Sequence, residues 1–210
     1  MLISQLFSDP AIFLIVVLAI IYALTIHEFT HALVATSLGD NTAKYSGRLN
    51  LNPLSHMEVF GTLMLLFAGF GWGKPVPVNP YNLKWKRWGS AAVSLAGPLS
   101  NFVSVAIFAG VASMLVQFMP SAGSLVFDFL FYLIFINFIL GVFNLIPIPP
   151  LDGSKVLFAA LPAHMDGFKR KFTVNGPWIL LGLIFLDNFV GINIFGHIFS
   201  FFINLILKLF

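Results

Sequence analysis

The chain has 210 residues, of which 59% are hydrophobic and only 9% charged, against roughly 45–50% apolar and 25% charged in an ordinary soluble domain. With 25 Phe, 4 Trp and so few charges, a water-soluble globule, a collagen and a disordered chain are excluded, and lipid is the solvent for most of the surface. The net charge of +3 comes from bases lying beside apolar runs, which fits membrane topology and no nucleic-acid partner, while the absence of Cys leaves only His, Asp and Glu to hold a metal.

Residues 11–26 are apolar apart from Thr25, and a helical reading continues through Thr36 to a stop at Gly39. The run lacks a basic leader and a small-residue cleavage site, so it is expected to be retained as a first span. Within it lies His27-Glu28-Phe29-Thr30-His31, an H-E-x-x-H pattern. Residues i and i+4 share a helix face, so both imidazoles can bind one metal ion while Glu28, one position on, reaches a water beside it. Ionisable residues inside a membrane helix are costly, about 2.5–3.5 kcal/mol for an Asp at the centre. Polar groups packed this closely therefore need a shared reason. A polar patch pairing with neighbouring helices is the alternative, and it needs a separate partner for each His.

Residues 40–56 turn polar, and alternation at Tyr45, Gly47, Leu49 and Leu51 predicts a short strand before Asn52 and Pro53. His56 follows, either satisfied at the membrane interface or approaching metal or substrate. Residues 59–72 are apolar but short and broken by Gly61, Gly69 and Gly71, which predicts a re-entrant or partly inserted segment. In G-K-P-V-P-V-N-P at 73–80, Pro75 and Pro77 remove N–H groups along one side of an extended strand and leave those of Val76 and Val78 on the other. One edge is blocked and one stays open. Residues 84–88 form a basic and aromatic cluster suited to a membrane interface.

A second span is predicted over about 89–119. Its small residues, Ala92 with Ala96 and Ala106 with Gly110, permit close helix approach around G-P-L-S-N at 97–101. Asn101 there either bonds across helices or faces the site. A third span over about 125–146 ends at Pro147, Pro149 and Pro150. After a polar stretch through Lys171, two more spans fit at about 177–190 and 192–207. The reading is a polytopic α-helical membrane protein with about five to six membrane segments and a small re-entrant β region. It forms one domain over 1–210, with a core over 11–161 and additional C-terminal spans over 172–210.

Lys44, Arg48, Lys74, Lys84, Lys86 and Arg87 lie between the first two clear spans, and Lys155, Lys169, Arg170 and Lys171 follow the third. Both regions are expected to be cytoplasmic, with the N-terminus and the turn at 120–124 outside. About 16 apolar residues at about 1.5 Å each precede His27, which puts the His pair about 24–30 Å from the outer surface, near the cytoplasmic side. A catalytic zinc site wants three protein ligands and an open position. The third span ends at the same depth just before Asp152, the best candidate for the third ligand; its alternative is a cap on the helix that follows. Transport through a His27–His31–Asp152 site is the rival function, and Glu28 discriminates, because an acid–base residue beside the ligands is what hydrolysis needs. His164 and His197 have no partner at ligand spacing.

The segments H-E-F-T-H-A-L-V-A at 27–35, G-D-N-T-A at 39–43, G-R-L-N-L-N-P-L-S-H at 47–56, F-G-W-G-K-P-V-P-V-N-P at 70–80, A-G-P-L-S-N at 96–101 and N-L-I-P-I-P-P-L-D-G at 144–153 together resemble the site-2 protease family of intramembrane zinc metalloproteases. The likeness is to the compact subgroup without a PDZ or CBS domain. The resemblance implies a three-helix catalytic core, one Zn2+ per chain held by His27, His31 and Asp152, Glu28 as general base, and Asn144 positioning or polarising the substrate carbonyl. It further implies a transmembrane protein substrate, surrounding membrane lipid, and a prokaryotic inner-membrane location. Glu58 and Val59 depart from the family pattern, which has Asp and Pro there. A helical substrate must unwind before its peptide bonds are reachable, and the open edge at Val76 and Val78 is a candidate for pairing with it. The competing expectation pairs that edge with the strand at 45–51.

Overall fold

The computed structural model describes residues 6–68, 71–119, 121, 123–187 and 191–207. Helix α1 is Pro10–Ser37. Asp9 caps it, its carboxylate accepting the Ile12 amide at 3.1 Å, and Pro10 sits in the first turn, where a missing N–H costs nothing. The helix stops before Gly39, which holds φ +103, a conformation open to glycine. Along α1, Ala19, Ala23, His27, His31 and Ala35 recur at four-residue spacing and are all buried. This stripe is one face of the helix, and its alanines let the neighbouring helices approach the two imidazoles closely.

Helix α2 is Val59–Ala68, α3 Arg87–Phe118, α4 Ser124–Asn144, α5 Asp152–Ala160, α6 Asp166–Phe185 and α7 Ile194–Leu207. Among the described residues, α1, α3 and α4 are long and apolar enough to cross a membrane, and their bounds fall within a few residues of the three expected spans. They pack on one another, and α5 packs on α3. Leu14, Leu18, Val103, Ile107, Phe131 and Phe135 remain exposed on their outer faces, as helices facing lipid require. Ten residues make α2 about 15 Å long, too short for a hydrocarbon core of about 30 Å. An apolar cavity of about 230 Å3 lies between α1, α2 and α4, lined by Ile20, Leu24, Leu65, Trp72, Ile139 and Phe143 among others.

The strand expected over 45–51 is not formed. Thr42–Tyr45 is a helical turn, closed by the amides of Gly47 and Arg48 donating to the Lys44 and Ala43 carbonyls, and Gly47 at φ +66 breaks any extended run. The alternation that suggested a strand leaves Tyr45 and Leu51 exposed. Of the expected β region, the described residues hold no sheet, only one antiparallel bridge between Met57 and Gly73. Helix α6 starts inside the stretch read as polar, with Lys169 paired to Asp166 at 2.9 Å, so polarity there marks helix end and not loop. Lys169, Arg170 and Lys171 in its first turns keep it out of the membrane-length apolar class. Residues 69 and 70 of the expected re-entrant segment, 120 and 122 of the expected outer turn, 188–190 of the expected span at 177–190, and Lys208 lie outside the described residues.

Residues 73–84 form an irregular strap whose far end is tied to the end of α1. Leu83 is buried with Ala35 and Val93, and the Lys84 amide donates to the Leu38 carbonyl at 2.8 Å. Asp40, fully buried, holds the middle. Its Oδ1 accepts the Thr42 amide and hydroxyl and the Asn82 side chain, and its Oδ2 the Asn79 amide, so both carboxylate oxygens are hydrogen-bonded. Burial works to raise the Asp40 pKa, but the donors at Thr42, Asn79 and Asn82 outweigh it and hold the carboxyl below its ordinary value. A group depressed in this way stabilises the fold above its unfolded pKa of about 3.9, and that stability is lost as pH falls through the folded value. Thermal unfolding of the purified protein is expected to lose stability below about pH 4. Asp40→Ala, expected to cost about 1–3 kcal/mol at neutral pH, should shrink that acid loss; an unchanged acid slope in the variant contradicts the assignment.

Candidate metal centre

The four-residue stripe on α1 points both imidazoles toward α3, and the first residue of α5 meets them there. His27 Nε2 and His31 Nε2 lie 3.1 and 3.0 Å from Asp152 Oδ2 and 3.1 Å from each other. All three residues are buried, and their ligand atoms fall within 4.8 Å of one another. The far side of each ring fixes its tautomer. His31 Nδ1 is 2.7 Å from the Val93 carbonyl, which can only accept, so Nδ1 carries the proton. Asn101 directs its Nδ2 to the Ala23 carbonyl at 3.2 Å and to Asn137 Oδ1 at 2.8 Å. Its Oδ1 therefore accepts from His27 Nδ1 at 2.7 Å.

In the neutral rings both Nε2 atoms are then lone-pair acceptors, and they face a carboxylate oxygen, a third acceptor. One shared proton can join only one of the three pairs. A divalent cation satisfies all three at once and leaves a fourth position open. Donors at about 2.0–2.2 Å from one tetrahedral zinc lie about 3.3–3.5 Å apart, a few tenths of an ångström beyond what is seen. The donor set fits a metal ion of the zinc class.

The surroundings are built for this convergence. Pro98 inside α3 has no N–H for the Ser94 carbonyl, and the adjacent Val93 carbonyl is the one that accepts from His31 Nδ1. Gly97 forms the floor. A Cβ at Gly97 would stand 2.5 Å from His31 Nε2 and 2.7 Å from His27 Cε1, well inside van der Waals contact. Gly97→Ala is thus expected to drive the rings apart and strip the metal while α3 stays helical. Metal content of the purified variant checks this, and parent-like loading with Ala at 97 would contradict it.

Asp152 opens α5, whose cap residue is Leu151 with no side-chain cap bond; the Asp152 carboxylate turns to the His pair. Its Oδ1 accepts from Ser94 Oγ at 3.3 Å and lies 3.6 Å from the half-exposed Lys155 Nζ. Glu28, half-buried beside His27, accepts the Val76 amide at Oε2, 3.2 Å away. Val76 thus spends its N–H inside the protein, whereas the Val78 amide donates to no partner among the described residues. Asn144 ends α4, its Nδ2 donating to the Leu140 carbonyl at 3.0 Å; no hydrogen bond ties it to the cluster. His56 stands apart too: it is buried, Nε2 donates to the Asn50 carbonyl at 2.8 Å, and Nδ1 has no partner among the described residues.

Sequence reasoning passed over Asn137, Ser94 and Arg48. The signal for Asn137 was present: a lone amide in the middle of a predicted span needs a partner, and with Asn101 it gives a polar chain through α1, α3 and α4. Ser94 carried no such signal, since Ser is common where membrane helices pack. Arg48 stands in the sequence as a loop base and as part of the 47–56 segment with no role of its own, yet it is buried and donates to two strap carbonyls.

Residues 110–186, which include Asn144 and Asp152, match the family described as Peptidase family M50. Three similar curated proteins bear the name "Putative zinc metalloprotease". YwhC of Bacillus subtilis is 40% identical over 165 residues, covering 75% of this chain and 72% of that protein. Rip2 of Mycolicibacterium smegmatis is 31% identical over 76% of this chain and 60% of its own length. MJ0611 of Methanocaldococcus jannaschii is 30% identical over 74% of this chain and 77% of its own length. No solved structure matches the chain.

Proposed function

Because the chain belongs to peptidase family M50, the site-2 protease family, we propose that it is a zinc metalloprotease that hydrolyses peptide bonds in or near the transmembrane segments of membrane proteins. One observation carries the reading: His27 Nε2, His31 Nε2 and Asp152 Oδ2 converge as three acceptors with their outer atoms already committed. These three hold the zinc, one per chain. When bound, zinc supplies a Lewis acid that polarises the scissile carbonyl and acidifies water.

The chain's own residues do the rest. Glu28, adjacent to His27 on α1, takes the proton from the attacking water and returns it to the leaving amine. Asn144 has a second amide N–H beyond the one given to Leu140, and it donates to the developing oxyanion. Asn101 and the Val93 carbonyl keep both imidazoles in the metal-binding tautomer. The apolar cavity between α1, α2 and α4 supports an apolar peptide as substrate. Its lining runs to Leu24 and Gly73, one helical turn before Glu28 and at the head of the strap. An unwound substrate segment pairs with the strap at Val76 and Val78, through the free Val78 amide while the Val76 amide stays on Glu28; His56, whose carbonyl accepts the Lys74 amide, borders this path.

Residues 1–210 form one integral membrane protease domain with its core over 11–161. The segment around α2 is re-entrant, and additional C-terminal spans over 172–210 complete five to six membrane segments. The distribution of bases supports an N-terminus outside and an active site toward the cytoplasm, in a prokaryotic inner membrane. The test is cleavage by the purified protein, in liposomes, of a panel of single-span membrane proteins before and after metal removal. Products are expected from the zinc-loaded protein, lost on chelation and restored by zinc. Full zinc loading without hydrolysis across the panel would contradict the reading.

A further inference from the structure

Resting on the reading of Glu28 as the base, we propose that Arg48 is a positioning residue for Glu28, acting through the peptide bond between Pro75 and Val76. The strap sequence leaves few ways to hold this segment. Pro75 and Pro77 cannot donate, so Val76 offers the lone N–H of residues 75–77, and the strap carbonyls need donors from elsewhere. Arg48 supplies them. Gly47, in the left-handed region, turns the chain so that the guanidinium reaches beneath the strap. There Nη2 donates to the Lys74 carbonyl at 2.5 Å and Nη1 to the Pro75 carbonyl at 3.3 Å.

The Pro75 carbonyl and the Val76 N–H belong to one planar peptide group, and in the trans form they point in opposite directions. Arg48 grips the oxygen edge of that plane; Glu28 Oε2 receives its hydrogen edge at 3.2 Å. A cation at the carbonyl and an anion at the N–H both align with the peptide dipole, and both bonds are charge-assisted. Fixing the plane from the Arg48 side therefore fixes the direction in which Glu28 is held. Arg48 is 5% exposed and its Nε has no partner among the described residues, so no water-facing role explains its burial. Burial pushes the Arg48 pKa down, and the nearby Glu28 charge works against that, as it does for a cation and an anion at the two ends of one peptide group. The strap is tied independently where the Lys74 amide donates to the His56 carbonyl at 2.8 Å and where Asp40 receives Asn79. Loss of Arg48 should consequently loosen the Lys74–Pro75 and Pro75–Val76 peptide planes without releasing the whole segment.

The test compares Arg48→Gln, Arg48→Lys and Val76→Pro in the full chain. Arg48→Gln is expected to keep full zinc, leave KM little changed and lower kcat per zinc-loaded enzyme by about 10- to 100-fold, the scale of an ångström-sized misplacement. Arg48→Lys, with a charge but no fork to span two carbonyls, should recover only part of that loss. Val76→Pro removes the N–H and leaves Arg48 intact, so combining it with Arg48→Gln should add little further loss, because both changes cut one relay. A parent-like kcat in Arg48→Gln, or full additivity with Val76→Pro, overturns the proposal. Should Arg48→Gln fail to fold, Arg48→Lys decides: lowered kcat with full zinc supports the relay, and parent-like kcat overturns it. A second readout does not depend on Glu28. The chain has no Cys, so Pro77→Cys gives a unique thiol on the strap, and its maleimide labelling is expected to be several-fold faster with Arg48→Gln than without. Equal labelling rates overturn Arg48's hold on the strap, whereas full activity in Glu28→Gln would overturn the base assignment instead.

Discussion

Replacement of Glu28 by Gln is expected to lower the cleavage rate by about 10²–10⁴-fold, the usual contribution of a positioned base, while the protein keeps one zinc per chain. Gln has the same shape, and its side-chain oxygen can still accept the Val76 amide, so the strap stays in place. What it loses is the ability to take a proton from water. None of the three converging acceptors is touched, because the Glu28 side chain is turned to Val76 and not to the His27, His31 and Asp152 cluster. Single-turnover cleavage measured beside metal content separates the two effects. Cleavage at the parent rate would show that another group takes the proton; loss of zinc with loss of cleavage would show that Glu28 is structural.

Asp152→Ala is expected to abolish both zinc binding and cleavage. The carboxylate supplies one of the three converging acceptors and the only negative charge among them. Its removal leaves two imidazoles facing Ser94 Oγ and Lys155 Nζ, neither of which replaces an anionic oxygen. The affinity loss should exceed the roughly 10- to 100-fold typical of an outer-shell partner. Asn101→Leu gives the comparison: it deletes the acceptor that fixes the His27 tautomer and is expected to weaken zinc within that 10- to 100-fold range. Competition titration with a zinc chelator measures both. An Asp152→Ala protein that binds zinc as tightly as Asn101→Leu would remove Asp152 from the ligand set.

Much of this arrangement is legible in the residues because the period of a helix is fixed. Ala19, Ala23, His27, His31 and Ala35 can only form one face once the span is helical, and the long apolar runs leave little doubt where the three crossing-length helices lie. Asp152 joins the His pair across 121 residues, which periodicity cannot reveal. The depth argument from the bases could bring it to the same level of the membrane, but not to the same point. The loop between α1 and α3 was less legible. Alternation over 45–51 looked like a strand, yet it is produced by a helical turn and a left-handed Gly47. Its purpose is to aim Arg48 at the strap, a long-range demand that leaves no local periodic trace. The strap shows both limits at once. The prolines marked which N–H groups survive, but only the fold determines that Val76 gives its N–H to Glu28 while Val78 keeps its own.

Three buried acceptors, on His27, His31 and Asp152, converge where one cation would satisfy them all. The most direct measurement is an anomalous difference map recorded at the zinc absorption edge from crystals of the zinc-loaded protein. A single peak at about 2.0–2.2 Å from His27 Nε2, His31 Nε2 and Asp152 Oδ2 is predicted. A peak bound by other residues, or no peak between these three atoms in protein that carries zinc, would contradict it.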